Sequence, residues 1–122
     1  MFRKYGLAAA LLLAGAVPAF AEDSCQVPPV PAAVDGNTVT KDQMVAAIAA
    51  VKAYQTASDT YQQCITDYVT AQNAQADKDK KPHDTVMIQS EGDKGTANEA
   101  SKEKTVGDLN AAIGVYKKAH PG

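Results

Sequence analysis

The sequence has few aromatic side chains and no tryptophan. Both phenylalanines, Phe2 and Phe20, belong to an N-terminal segment that reads as an export signal. The aromatic residues that follow are four tyrosines at positions 54, 61, 68 and 116. Large aliphatic side chains are also sparse, and alanine supplies much of the apolar composition. Because such a chain buries only a thin core, we expect elongated packing of helix on helix rather than a globule.

The sequence also lacks the residue clusters of common active sites. Its two histidines are far apart, with His83 in a charged segment and His120 beside the C-terminus. Asp77 and Asp79 are not followed by the glycine and glutamate of a calcium loop. The sequence contains no Cys-x-x-Cys motif and no phosphate-binding glycine loop. We therefore predict a protein that is not an enzyme, with no catalytic residue, no metal site and no cofactor.

The charge balance argues against a nucleic-acid partner. The formal net charge of the chain is −2 at pH 7, whereas a nucleic-acid-binding domain typically carries a basic face. Removal of an N-terminal segment containing Arg3 and Lys4 makes the remaining chain more acidic. A small-molecule ligand is not expected either, since a thin core hardly encloses a pocket.

The N-terminus has the three parts of a secretion signal. Arg3 and Lys4 precede an apolar run of about 11 residues at 7–17. Ala19-Phe20-Ala21 then has the small-x-small form that signal peptidase recognises, which predicts cleavage before Glu22. The run is shorter than the ~20 residues of a membrane-spanning helix, although retention as an N-terminal anchor is an alternative. We predict a periplasmic or secreted protein with no transmembrane segment in its mature form.

A long first helix is predicted over about 41–76. Thr40 and Gln43 form a capping-box pattern at its start. The helix then shows a seven-residue repeat that is typical of packing against one other helix. The residues of this stripe are Met44, Ala47, Val51, Tyr54, Ser58, Tyr61, Ile65 and Tyr68.

A second helix is predicted over about 84–119, after a charged loop at 77–83. Asp84 is its expected N-cap, and Thr96 with Glu99 forms another capping-box pattern further along. Glycines at 92–95 weaken the helix there, so the sequence leaves its continuity open. The expected inward stripe of this helix contains Val106, Leu109, Ile113 and Tyr116.

Together these segments predict an all-α fold. A signal peptide occupies residues 1–21, a proline-rich extended arm 22–39, and an antiparallel two-helix hairpin 40–119. Tyr54, Tyr61, Tyr68 and Tyr116 have two interpretations. Their rings fill the seam between the helices with the hydroxyls in water at its edge, or they form a face that binds a partner.

Cys25 and Cys64 are expected to form a disulfide, since an exported protein with two cysteines commonly pairs them. An arm extended at ~3.1 Å per residue from Cys25 to Thr40 reaches ~45 Å. The helix from Thr40 to Cys64 rises ~35 Å, so the arm is long enough to run back along it. Intermolecular disulfides and a redox-active thiol pair are the alternatives.

The segment from Cys25 to Cys64 resembles a group of small exported proteins of proteobacteria that have no known activity. The resemblance rests on Cys25-Gln-Val-Pro28-Pro29-Val-Pro31, Asp35-Gly36, Val51-Lys52-Ala53-Tyr54 and Tyr61-Gln-Gln-Cys64. It implies a Cys/Pro-rich arm before a long helix that carries the second cysteine. By size, export and two cysteines the chain is also similar to acid-stress periplasmic chaperones, but it lacks their aromatic and acidic segments between the cysteines.

The leading hypothesis is a non-enzymatic helical hairpin that acts as an interaction or structural element. It predicts a protein partner or self-association. The alternative is a periplasmic stress chaperone that opens to bind unfolded client proteins.

Overall fold

The computed structural model describes residues 23–122, so the predicted signal peptide lies outside the described residues. The described chain forms two α-helices, α1 (Lys41–Lys78) and α2 (Thr85–Ala119), and no β-strand. The prediction of an all-α helical hairpin is confirmed. The 38 residues of α1 rise ~57 Å at ~1.5 Å per residue, so the hairpin is long and thin.

Helix α1 has well-defined caps at both ends. The Gln43 N–H donates to the Thr40 hydroxyl and the Thr40 N–H donates to the Gln43 side chain, which confirms the predicted capping box. At the C-terminus Lys80 adopts a left-handed conformation with φ 53°. The Lys81 N–H donates to the Ala76 carbonyl at 2.9 Å, which is the closing bond of a Schellman motif.

Asp84 caps the N-terminus of α2, and its carboxylate accepts from the Met87 N–H at 3.0 Å. The helix then runs without a break through Gly92 and Gly95 to Ala119. Thr96 therefore lies inside α2, and the second capping-box pattern does not start a helix. The Glu99 carboxylate instead accepts a hydrogen bond from Gln62 of α1.

The largest apolar contact, which we call the apolar end, lies where α1 begins and α2 ends. Its buried members are Val39, Met44 and Ala112. Five half-buried apolar side chains pack around them: Val34, Ile48, Leu109, Ile113 and Tyr116. Four further buried apolar side chains lie along α1 beyond this end: Val51, Tyr54, Tyr61 and Ile65.

A tight turn at Gly36 brings the segment before α1 against α2. The Asp35 carboxylate accepts from the Asn37 N–H at 2.9 Å, which is a common turn-forming contact. A Cβ atom at Gly36 would lie 2.3 Å from the carbonyl oxygen of Ala112. Only glycine fits at this position, because the backbone of α2 occupies the space that any side chain needs.

Candidate functional site

The segment of residues 23–39, which we call the arm, is joined to α1 by a disulfide. Cys25 and Cys64 are bonded, with their Cα atoms 5.7 Å apart and 39 positions apart in sequence. The predicted pairing is confirmed, and the described chain contains no free cysteine. The arm is therefore fixed to the hairpin at two places, the disulfide and the turn at Gly36.

The tyrosines of α1 follow one another along the seam between the helices, and we call Tyr54, Tyr61 and Tyr68, together with Tyr116 of α2, the tyrosine ladder. Tyr54 and Tyr61 are only 4% and 5% exposed, while Tyr68 and Tyr116 are half-buried. The Tyr54 hydroxyl donates to the Ser101 hydroxyl of α2 at 2.8 Å, so it does not point to water as expected. Burial of the first two rings supports the interpretation of the ladder as part of the core.

The middle of the seam is held by polar side chains, which we call the polar seam: Ser58, Gln62, Asn98 and Glu99. Ser58 is fully buried and Asn98 is 5% exposed. The Gln62 amide donates to Asn98 and to Glu99, each at 2.9 Å, and the Asn98 amide donates to Ser58 at 3.4 Å. Because buried polar groups are costly without partners, these contacts specify which residues of α1 and α2 face each other.

The polar seam was not predicted, because the inward face of α2 was expected to be apolar. The buried residues of α2 are Glu91, Asn98 and Ala112. They are 7 and 14 residues apart, so they lie along one face of α2, beside the face that contains Leu109. A search for a seven-residue repeat that also counted polar residues would have detected this face, since Thr105 occupies the position between Asn98 and Ala112.

A charged cluster joins the arm to α2 near the disulfide; its members are Asp23, Glu91 and Lys94. The Lys94 ammonium donates to the Asp23 carboxylate at 2.7 Å and to the Glu91 carboxylate at 2.9 Å. The two carboxylate side chains are only 7% and 6% exposed, whereas Lys94 is 42% exposed. Two acidic groups thus share one basic partner in a largely buried position.

The titration of the cluster follows from these contacts. Hydrogen bonding to Glu91 and to Lys94 lowers the pKa of Asp23. Burial, and then the hydrogen bond with Asp23, raises the pKa of Glu91. Both carboxylates raise the pKa of Lys94. One carboxyl group therefore ionises readily while the other resists ionisation, as expected for two acids that share a site.

A groove of about 330 Å³ lies between the arm and both helices, and we call it the arm groove. One wall is the arm itself at residues 30–34, and the floor includes Ala47 and Val51 of α1 and Leu109 of α2. Polar groups at its edge come from Ser101, Lys104, Thr105 and Asp108. The sequence analysis did not expect such a space, because the packing of an extended segment against a helix pair leaves gaps that periodicity does not reveal.

The remaining candidate residues do not converge on a reaction centre. His83 contacts Asp77 at 2.7 Å across the turn between the helices, and His120 stacks on Tyr116. Across residues 23–122 there is no cluster of three or more histidine, cysteine, aspartate or glutamate side chains suited to a metal. Neither helix is long and apolar enough to cross a membrane.

Comparisons of the chain with known protein families, curated proteins and solved structures find no match.

Proposed function

We propose that this chain is an exported, non-enzymatic protein that binds a partner protein through the arm groove. The observation that supports this proposal is the groove itself, an apolar space of about 330 Å³ whose lining includes the exposed Val30. Val27 and Val30 of the arm are 69% and 59% exposed. Exposed apolar side chains next to an apolar groove are typical of a protein-binding surface.

The two attachment points of the arm give the groove a rigid frame. The disulfide holds one end to α1, and the close approach of Gly36 to Ala112 holds the other end to α2. A binding surface that is already formed loses little conformational freedom when its partner arrives. We also infer an oxidising compartment, periplasmic or extracellular, since a structural disulfide persists there.

The arm is extended between these points. From Cys64 to Thr40 the helix rises ~35 Å, and the arm covers this distance with the residues from Cys25 to Val39. Residues 23–35 form no helix or strand and precede the turn at 36–38, so the run from Cys25 to Asp35 covers most of this distance in an extended conformation, ~31 Å at ~3.1 Å per residue. Within the described chain, no hydrogen bond involves the backbone of Val27, Val30 or Ala32.

An extended backbone with unpaired N–H and C=O groups can form hydrogen bonds with a second extended segment. We infer that the partner contributes an extended apolar peptide segment, which pairs with the arm backbone and places a side chain in the groove. A second copy of the chain can supply such a segment from its own arm, so self-association is one form of this binding.

Photo-crosslinking of the exported protein in its native envelope tests the proposal. A photoreactive amino acid at Ala33, which is exposed and lines the groove, is expected to capture a discrete protein or a second copy of the chain. The same probe at Ala71, which is exposed on α1 away from the arm, serves as the control. Equal capture from both positions would contradict the proposal.

A groove-filling variant provides a second test. Ala47→Phe places a ring in the groove and is expected to abolish capture from Ala33, whereas Ala49→Phe points to solvent and is expected to leave capture unchanged. Light scattering on the oxidised mature protein then distinguishes self-association from binding of a different protein.

A second candidate function, an acid-activated chaperone, is favoured by the dependence of the seam on carboxylates. Asp23 of the charged cluster and Glu99 of the polar seam contribute their contacts in ionised form, since the pKa of each is lowered, and these contacts weaken when the carboxylates are protonated. This candidate predicts loss of helix packing near pH 3 together with suppressed aggregation of a client protein. A hairpin that stays packed and inactive at that pH would exclude it.

A further inference from the structure

Glu91 is a buried glutamate whose two oxygen atoms have different surroundings. The residue is only 4% exposed. Its Oε1 atom accepts from the Lys94 ammonium at 2.9 Å, whereas no N–H or O–H group of the described chain donates to the buried Oε2 atom. Burial of an ionised carboxylate with an unpaired oxygen is costly, while a protonated carboxyl group is itself a donor. The surroundings of Glu91 therefore favour its protonated form.

Asp23 supplies the acceptor that such a proton needs. Its carboxylate contacts the same ammonium, with Asp23 Oδ2 2.7 Å from Lys94 Nζ, and it lies in hydrogen-bonding contact with Glu91. The Cys25 N–H also donates to Asp23 Oδ1 at 3.1 Å. Asp23 thus has donors at both oxygens and is the carboxyl group of the pair that stays ionised.

A single proton balances the charge of this cluster. Within the described chain, Lys94 of α2 is the one ammonium that contacts both carboxyl groups. The ionisable groups of α1 that face them are the phenols of Tyr61 and Tyr68, which are neutral near pH 7. With Asp23 ionised and Glu91 protonated, the cluster holds one negative and one positive charge, so no net charge is buried.

We propose that Asp23 and Glu91 share one proton, and that this proton links the arm to α2. Glu91 keeps the proton in mildly acidic solution, after exposed carboxyl groups have ionised. The disulfide fixes the arm to α1, whereas the shared proton fixes it to α2. Loss of the proton places two carboxylates side by side in a buried position, where they repel each other. The link is therefore sensitive to pH, strong in mild acid and weaker toward neutral pH.

The two carboxyl groups affect stability with opposite signs. Burial and the hydrogen bond with Asp23 raise the pKa of Glu91 above its ordinary value of 4.5, so the folded chain holds a proton that the unfolded chain releases. The stabilising contribution of Glu91 is complete below that ordinary value and is lost as the pH rises through the folded pKa. The pKa of Asp23 is lowered from 3.8, so its contribution is lost only in stronger acid. Together they give the link its greatest strength in mild acid.

Glu91→Gln tests the shared proton by urea denaturation of the oxidised chain between about pH 4.5 and 7.5. The glutamine amide supplies an N–H donor at every pH, so the variant mimics protonated glutamate. The denaturation midpoint of the wild-type chain is expected to fall relative to that of Glu91→Gln as the pH rises, because only the wild type loses its donor. A difference between the two midpoints that stays constant with pH would overturn the proposal.

Carbon-13 NMR of the carboxyl groups in the folded, oxidised chain gives a direct measurement. The Glu91 carboxyl signal is expected to titrate at a higher pH than the signals of exposed glutamates, since burial and Asp23 favour its protonated form. In Asp23→Asn the same signal is expected to titrate at a lower pH, because the neighbouring negative charge is absent. Equal titration of Glu91 in the two chains would show that burial alone holds the proton, which contradicts sharing.

Glu99→Gln is the matched control, because Glu99 belongs to the polar seam and contacts Gln62 and Lys102. These contacts lower the pKa of Glu99, so the difference between this variant and the wild type should not grow as the pH rises. Growth as large as that seen with Glu91→Gln would rule out a specific role of Glu91. The link is independent of the binding proposed above, since the arm lines the groove with residues 30–34, and crosslinking from Ala33 reports on the groove separately.

Discussion

The apolar end and the polar seam hold the same two helices together by different physical means. At the apolar end Val39, Met44 and Ala112 exclude water, and the fit is set by van der Waals contact with Gly36. In the polar seam the contacts are hydrogen bonds between side chains, with the charged cluster and the disulfide beyond them. The stability of the first region should thus depend on side-chain volume, and that of the second on side-chain polarity, pH and oxidation of the disulfide.

Removal of the disulfide is expected to have the largest effect on stability. In the chain-entropy picture a bridge across 39 positions contributes about 3–4 kcal/mol. Replacing both cysteines by alanine is expected to lower the free energy of unfolding by about that amount while the helices remain visible by circular dichroism. Chemical reduction of the wild-type chain should match the variant, and a loss below ~1 kcal/mol would contradict this prediction.

Gly36→Ala tests the close packing at the apolar end. The new Cβ atom would lie 2.3 Å from the Ala112 carbonyl oxygen, so the turn must move, and we expect a loss of about 3 kcal/mol. Gly107→Ala is the control, since a Cβ there meets nothing within 4 Å and the helix gains up to ~1 kcal/mol. Denaturation curves that show similar effects for both variants would disprove a special role for Gly36.

Asn98→Ala tests the polar seam. The substitution leaves Ser58 without its partner and removes one of the two acceptors of the Gln62 amide. We expect a loss of about 2 kcal/mol in urea denaturation. Replacing both polar side chains by apolar ones, with Ser58→Ala and Asn98→Leu together, should recover part of that loss. The hydroxyl group that Asn98→Ala leaves unpaired is then absent. If the double variant is less stable than Asn98→Ala, unpaired polar groups are not the cause.

The lowered pKa of Asp23 in the charged cluster predicts a loss of stability in acid. Its pKa is lowered from 3.8 in the folded chain, so its contribution is present above that value and is lost as the pH falls through the folded pKa. Asp23→Asn should lower the free energy of unfolding by about 1 kcal/mol at pH 7, a modest amount because water screens the partly exposed Lys94. The variant should also show a flatter decline in stability below pH ~4. Asp59→Asn, at an exposed partner of Lys102, is the control and should change the urea midpoint little.

Parts of this structure were accessible to sequence reasoning because local chemistry determines them. The capping box at Thr40, the buried stripe of α1 and the pairing of Cys25 with Cys64 follow from spacing and residue type. The polar line of α2 and the charged cluster were not accessible. They depend on partners far apart in sequence, such as Asp23 with Lys94, and no periodic pattern records such a contact.

The arm groove and the close packing of Gly36 against Ala112 were also not predictable from the sequence. The Asp-Gly-Asn sequence predicts a turn, but not that a helix backbone lies against it. Whether α2 continues through Gly92 and Gly95 was also undecidable from propensity, because packing against α1 outweighs the cost of a glycine in a helix.

The bond between Cys25 and Cys64 makes the arm and the first part of α1 into a closed covalent ring. Cleavage of one peptide bond anywhere within this ring opens it without releasing a fragment, since both pieces stay attached through the sulfur atoms. A protease that cuts the arm at the exposed Val27 or Val30 therefore leaves one covalent molecule, heavier only by the water added in hydrolysis. As long as the disulfide stays oxidised, a single cut in the arm therefore does not separate the protein into two parts.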